Sequence, residues 1–349
     1  MNIHEIYIKR CIDLAKNGLG KTYPNPMVGS VIVLDGIIIG EGWHKKAGEP
    51  HAEVNAVNSV SDKTRLSEAT LYVSLEPCSH FGKTPPCANL IVENRIKNVV
   101  IGVIDSNSEV SGRGVAHLKK NGCNVVVGVL ENECEKLNKR FFTFHRNKRP
   151  FIILKWAETK DGFIDKLREK DSENSPNWIS NSYSQQLVHK MRATEQSILV
   201  GTNTALNDNP TLNVRSWIGE NPVRIVFDRS LKIPNDYNLY NEKVKTIFLT
   251  ENKPTKDFGN TILFEEVNFN ENLPKQICDV LYKHEIQSVI IEGGRQTLQS
   301  FIDANLWDEA TVFIGEPSFE KGLEAPIIKK APFETEEISN DTLNIYKNY

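Results

Sequence analysis

Three short stretches between residues 50 and 87 constrain this chain more than anything else in it: Pro50-His51-Ala52-Glu53, Glu76-Pro77-Cys78 and Pro86-Cys87. One imidazole and two thiolates suit zinc, and three protein ligands leave a fourth position open for water, the pattern of a catalytic site. For residues so spaced to meet at one ion, the backbone must return twice to the same place. Strands that each deliver a ligand to the start of a helix do this. A helix N-terminus favours an anionic ligand, so Cys78 and Cys87 near such positions ionise readily. Glu53, two residues past His51, need not bind the metal. It is placed to take a proton from metal-activated water and hand it to a leaving amine, as the non-ligand glutamate of zinc deaminases does. Attack on an amidine-like carbon of a heterocycle, with release of ammonia, is the chemistry these residues imply. A purely structural zinc site is the alternative, and it would need no neighbouring proton carrier.

The surrounding pattern supplies the required elements. An amphipathic helix opens the chain, with Ile3, Ile6, Tyr7, Cys11 and Leu14 on one side. Strands at 29–34 and 37–41 flank an Asp35-Gly36 hairpin turn. A helix from Ala52, a strand over 70–75, a helix over 87–93 and the apolar run before Asp105 follow. A helix near 115–120, a strand at VVVGVL and a long helix over 131–145 complete an α/β layered set. The basic stretch 145–150 ends in Pro150, which disfavours helix before it, and marks a boundary. Beyond it the alternation restarts: FIILKWA, the helix YSQQLVHKMRAT, SILVG, VRIVFD, KTIFLT, SVIIEGG running into QTLQSFIDAN, and ATVFIG. The polar stretch 168–176 reads as an exposed flap, and the tail after Pro332 as partly mobile. The domains expected are residues 1–147 and 148–349.

At 349 residues the chain is long enough for two cores. A net charge of −3 carries no footprint of non-specific nucleic-acid binding. No apolar run approaches the roughly 18 residues that span a bilayer, and the first residues lack a signal-peptide pattern, so a cytoplasmic location is expected. The six cysteines do not read as a disulfide framework in such a chain. Cys11, Cys123, Cys134 and Cys278 read as packing residues.

PNPMVG (24–29), HAE (51–53) and EPCSHFGKTPPC (76–87), with eight residues between the cysteines, resemble the deaminase half of the bifunctional deaminase–reductase family of bacterial riboflavin biosynthesis. The resemblance implies that His51, Cys78 and Cys87 hold one zinc ion, with Glu53 as proton carrier. It places Asn25, His80, Lys83, Asp105 and Asn107 against the pyrimidine and its ribose phosphate. His44 is either structural or part of the site. Where the family commonly has D-P-N-P, this chain has Asp105-Ser106-Asn107-Ser108, which removes rigidity but keeps both polar side chains.

The second half has no G-x-G-x-x-G after a strand, so the ordinary dinucleotide fingerprint is absent. SVIIEGG ends a strand in glycines that let backbone amides at a helix start approach a phosphate. With LKWAETKDG (154–162), NWIS (177–180), VGTNTALNDNPTLNVR (200–215) and VRIVFDRSLKIP (223–234), it resembles the reductase half of the same family. The resemblance implies NADPH along Ala157, Trp178, Thr204, Asp208 and Gly294, with Arg229 at the 2′-phosphate. It implies substrate contacts at Arg192, Leu212, Arg215 and Glu292, the two arginines on phosphate, and Lys155 as a catalytic residue facing the ribose chain with Glu292. Lys160 stands where the family has leucine and places charge beside this cleft.

The fold expected is therefore α/β throughout: a cytidine-deaminase-like three-layer domain followed by a dihydrofolate-reductase-like domain. The implied partner is a small pyrimidine ribose phosphate, not nucleic acid or membrane, and the resemblance implies a homo-oligomer. A nucleic-acid or nucleoside deaminase with an unrelated second domain and a zinc-stabilised nucleotide-binding protein are the rival readings. The long cysteine loop opposes the first and Glu53 the second.

Overall fold

A computed structural model describes residues 2–79, 85–106, 111–167 and 177–349. The chain divides into two compact units, Met1–Lys148 and Arg149–Tyr349.

In the first unit, α1 (Ile3–Ala15) starts with a capping box between Asn2 and Glu5. Its buried face is Tyr7, Ile8, Cys11, Ile12, Leu14 and Ala15. Ile3 and Ile6, expected on that face, are about half exposed because burial of this helix begins only at Tyr7. β1 (Gly29–Leu34) and β2 (Ile37–Trp43) form the expected hairpin, with Asp35 and Gly36 at φ 50° and 80°. β3 (Thr70–Leu75) pairs antiparallel with β1, and β4 (Asn98–Val103) and β5 (Asn124–Val127) add on in parallel. The order is β2-β1-β3-β4-β5.

Alternation along the strands builds two cores on the two faces of this sheet. Ile32, Leu71, Val73, Val99 and Ile101 pack on α2 (Ala52–Ser59), α3 (Cys87–Glu93) and α4 (Arg113–Lys120) through Ala56, Val57, Ala88, Ile91 and Leu118. Val31, Val33, Tyr72 and Val100 pack on α1 and on α5 (Glu131–Leu137) and α6 (Lys139–Asn147) through Ile8, Cys11, Cys134 and Phe142. The single helix expected over 131–145 is thus two. Asn138 breaks it, because its side-chain amide leaves the helix to bond both ways with the Met27 backbone, at 2.8 and 2.8 Å.

The second unit is built on β6 (Phe151–Thr159), β8 (Ser197–Val200), β9 (Val223–Phe227), β10 (Thr246–Thr250), β11 (Ile262–Glu266), β12 (Ser288–Glu292), β13 (Glu309–Gly315), β15 (Glu334–Ile338) and β16 (Asp341–Lys347). Their order is β11-β10-β9-β8-β12-β6-β13-β16-β15, with β7 (Phe163–Lys166) and β14 (Gly322–Glu324) as a separate ribbon. The central strands run parallel and are apolar on both faces, as sheets covered on both sides require. The helices are α7 (Ser182–Thr194), α8 (Thr202–Asp208), α9 (Leu273–Lys283) and α10 (Arg295–Asp303). Asp308 fixes the start of β6 by bonding the Arg149 guanidinium at 2.6 and 2.8 Å and the Ile152 N–H at 2.8 Å.

One expectation changes here. The tail after Pro332 is not loose: β16 pairs with β13, β15 pairs with β16, and Leu343 packs on Val188 and Phe313. Its polar sequence reflects a place at the sheet edge, where charged strands discourage further pairing. The polar segment after β8 begins with helix α8. The flap expected at 168–176 lies outside the described residues.

Candidate functional site

Among the described residues, one trio of metal-capable side chains converges: the ligand atoms of His51, Cys78 and Cys87 lie within 4.8 Å of one another. His51 caps α2 in extended conformation, Cys87 opens α3 after Pro86, and Cys78 follows β3 by a Glu76-Pro77 turn. His51 Nδ1 is 3.6 Å from Cys78 Sγ and 3.4 Å from Cys87 Sγ. Tetrahedral zinc with bonds of about 2.3 Å to sulfur and about 2.0 Å to nitrogen separates its ligand atoms by about 3.5 Å. The donor set and its spacing fit that ion.

The electrostatics agree. The Cys87 thiol, the His51 imidazole and the Cys87 N–H at 3.3 Å all bond Cys78, and the Cys87 thiol has the largest effect in holding Cys78 well below its ordinary range. The same sulfur contact, with burial, pushes Cys87 up. Glu53 is 3% exposed on the first turn of α2. Burial, reinforced by the negative charge of Cys78, raises its carboxyl to about 7. A group poised there both takes and gives a proton near neutral pH.

Asn25 donates from Nδ2 toward His44 Nε2 at 3.1 Å, while His44 Nδ1 faces the Pro50 carbonyl at 3.2 Å. His44 is 2% exposed, with its ring centroid 5.3 Å from that of His51, so the ambiguous histidine belongs to this site's wall. Asp105 is buried at the end of the β4 segment. His80, Lys83 and Asn107 lie outside the described residues.

In the second unit a cavity of about 720 Å³ opens at the carboxyl ends of the strands, a size that suits a cofactor site. Lys155, Ala157, Trp178, Arg192, Thr204, Asp208, Leu212, Arg215, Glu292 and Gly294 all line it. Trp178 is 65% exposed and so is not a core aromatic. Gly293 has φ 132°, and a Cβ on Gly294, the N-cap of α10, would meet nothing within 4 Å. Backbone amides there are open to a phosphate. Arg229 does not line the cavity; it forms a two-bond pair with Glu251, at 3.0 and 2.9 Å, past the end of β9. Lys160 sits on an exposed turn and is not among the residues that line the cavity.

Lys155 and Glu292 face each other across the parallel β6–β12 pair, Nζ to Oε1 3.9 Å. Arg192 reaches Glu292 Oε2 at 2.9 Å from α7. Burial disfavours the Glu292 carboxylate most, but the charges of Arg192 and Lys155 outweigh it and hold Glu292 low. Burial also lowers Lys155. Arg192 Nε and Glu292 Oε1 are buried without hydrogen-bond partners among the described residues. A polar ligand in the cavity would satisfy such costly groups. Sequence reading missed Asn177, Asn203, Asn207 and Leu323, which also line the cavity but belong to no charged or glycine pattern.

Residues 1–103 match the family model described as the cytidine and deoxycytidylate deaminase zinc-binding region, and residues 150–317 match the RibD C-terminal domain. A riboflavin biosynthesis protein RibD of Aquifex aeolicus is 41% identical over 328 residues, covering 92% of this chain and 89% of the relative. The Escherichia coli protein of that name is 33% identical, covering 93% and 94%. Among solved structures, a diaminohydroxyphosphoribosylaminopyrimidine deaminase/5-amino-6-(5-phosphoribosylamino)uracil reductase from Thermotoga maritima superimposes with a TM-score of 0.87 at 36% identity, covering 99% and 98% of the chains. Acinetobacter baumannii RibD does so with 0.87 at 30% identity, covering 99% and 98%.

Proposed function

This chain belongs to the RibD family, the zinc- and NADPH-dependent deaminase–reductases of riboflavin biosynthesis, and from that premise we infer how its residues divide the work. The N-terminal unit (1–147) hydrolyses the 2-amino group of 2,5-diamino-6-ribosylamino-4(3H)-pyrimidinone 5′-phosphate. The C-terminal unit (148–349) reduces the ribosyl group to ribityl, giving 5-amino-6-(5-phospho-ribitylamino)uracil. The observation that carries this reading is the convergence of His51, Cys78 and Cys87 beside a buried Glu53.

His51, Cys78 and Cys87 hold zinc, which when bound supplies a Lewis acid that lets water ionise near neutral pH. Glu53 accepts the water proton and passes it to the departing amine, which leaves as ammonia. Asn25, aligned by His44, and Asp105 orient the pyrimidine, with His80, Lys83 and Asn107 completing the ring and phosphate contacts. In the second unit NADPH supplies the hydride, so the protein's task is positioning. Ala157, Trp178, Thr204, Asp208 and Gly294 hold the cofactor, and Arg229 exchanges Glu251 for the 2′-phosphate. Arg192 and Arg215 hold the substrate phosphate, and Leu212 closes the cavity wall against it. Lys155 and Glu292 face the opened ribose, whose carbonyl or imine carbon takes the hydride while its heteroatom takes a proton.

Zinc content, ammonia release from the diaminopyrimidine phosphate and NADPH consumption test the reading in wild type and Glu53→Gln. One zinc per chain, no ammonia from the variant and NADPH use only after deamination are expected. Ammonia release unaffected by the substitution would remove Glu53 from the mechanism. The reading also takes the enzyme as a cytoplasmic homo-oligomer; a monomer in sedimentation at micromolar concentration would contradict that.

A further inference from the structure

Glu76 precedes the Cys78 ligand by two residues, yet it serves a different segment. It is 4% exposed, and its carboxylate accepts three backbone N–H groups. Oε2 takes those of Asp105 at 3.2 Å and Gly112 at 3.0 Å, and Oε1 takes that of Val115 at 3.1 Å. Its own N–H donates to the Val103 carbonyl at 2.9 Å. One side chain therefore grips both ends of the stretch from Asp105 to the first turn of α4. A carboxylate is well suited to this, since it has only acceptors and α4 presents the positive end of its dipole.

Two further features point the same way. Gly114 brings α4 against the ligand turn: a Cβ there would lie 2.1 Å from the Pro77 carbonyl oxygen and 3.2 Å from Glu76 Oε1. Serines at 106 and 108 leave this stretch without the ring constraint that proline would impose.

We propose that Glu76 is a positioning residue for deamination, setting Asp105 at a fixed distance from the Cys78 turn so that the pyrimidine is presented in register with the metal ligands. This rests on the role given to Asp105 above. Glutamine at 76 keeps one acceptor oxygen but turns an NH₂ group toward backbone donors, so the stretch loosens while the ligand turn keeps its length.

The test is ammonia release against substrate concentration with the full-length zinc-loaded protein, in wild type, Asp105→Ala, Glu76→Gln and Gly114→Ala. Glu76→Gln should raise KM about tenfold, with kcat within about threefold. Zinc near one per chain and unchanged NADPH oxidation with the deaminated substrate should accompany that shift. Gly114→Ala, which keeps the carboxylate but pushes α4 away, should shift KM in the same direction, and it decides alone if Glu76→Gln is recovered unfolded. A raised KM in Asp105→Ala with no change in Glu76→Gln and Gly114→Ala overturns the proposal. So does zinc loss in step with activity, which would make Glu76 a support for the metal. No ammonia from wild type would instead overturn the deaminase reading, and an unchanged KM in Asp105→Ala would overturn the role of Asp105 and this proposal with it.

Discussion

The two units bring reactive groups together in opposite ways. In the first, three candidate ligand atoms from three segments meet within 4.8 Å, and Glu53, the proposed proton carrier, is buried on the first turn of α2. In the second, the chemistry is spread around a cavity of about 720 Å³, where Glu292 pairs with both Lys155 and Arg192. A metal ion forces its ligands into bond length of one point, so its residues cluster at helix starts next to each other. A dinucleotide and a sugar phosphate are long, so the residues that hold them come from the ends of several strands and need only face one space. Bound zinc would tie the first site together by coordination. The second is held by Glu292, whose carboxylate keeps Arg192 and Lys155 in place.

This contrast can be broken most directly at Cys87. Cys87→Ser should abolish stoichiometric zinc and lower deamination by about 10³-fold or more, while NADPH binding by fluorescence is unchanged. Loss of NADPH binding in that variant would show that the two sites are energetically coupled. Glu53→Gln should keep zinc and lower ammonia release by about 10²- to 10⁴-fold. It should also stabilise the chelator-treated protein at pH 8. A carboxyl raised to about 7 binds more protons folded than unfolded between its ordinary value and 7. Stability therefore falls as pH rises through that window, by up to about 3 kcal/mol, and glutamine escapes the loss. Urea unfolding at pH 4 and pH 8 measures the difference.

In the second unit the effects should be smaller and distributed. Arg192→Met leaves the Glu292 carboxylate facing Lys155 alone, which should cost about 3 kcal/mol in denaturant unfolding and raise KM for the reductase substrate. A stability unchanged in that variant would mean that the charges in this cleft are solvated rather than paired. Burial lowers Lys155. A reductase step that needs its ammonium is intact at low pH and should fail as pH rises through that lowered value, so the alkaline limb should fall below the ordinary lysine range. Lys155→Arg should move the limb upward. The smallest effect belongs to Arg229, exposed and paired with Glu251: Arg229→Ala should weaken NADPH several-fold and NADH hardly at all. Equal losses for both cofactors would assign Arg229 to its ion pair instead.

The difference between the units also governs how much of each could be read before folding. His51, Glu53, Cys78 and Cys87 declare themselves because few residue types bind zinc and the proton carrier sits at a fixed offset. The hairpin at Asp35-Gly36 and the central strands were equally plain, since φ > 0 turns and apolar runs are local properties. Asn138 was not legible as a helix break, because its partner Met27 is distant in sequence. The tail was misread for the same reason: β16 is a strand only because β13 lies beside it.

What the sequence offered by itself is the proposed chemistry, a ligand set and a proton carrier, together with the opening hairpin, the central strands and a boundary near Pro150. These follow from side-chain type and short-range periodicity, which need no partner. Only the tertiary structure decided that His44 aligns Asn25, that Glu292 gathers Lys155 and Arg192, and that Glu76 grips the stretch behind Asp105. Those are contacts between residues tens to more than a hundred positions apart, and no local propensity encodes which of them will meet.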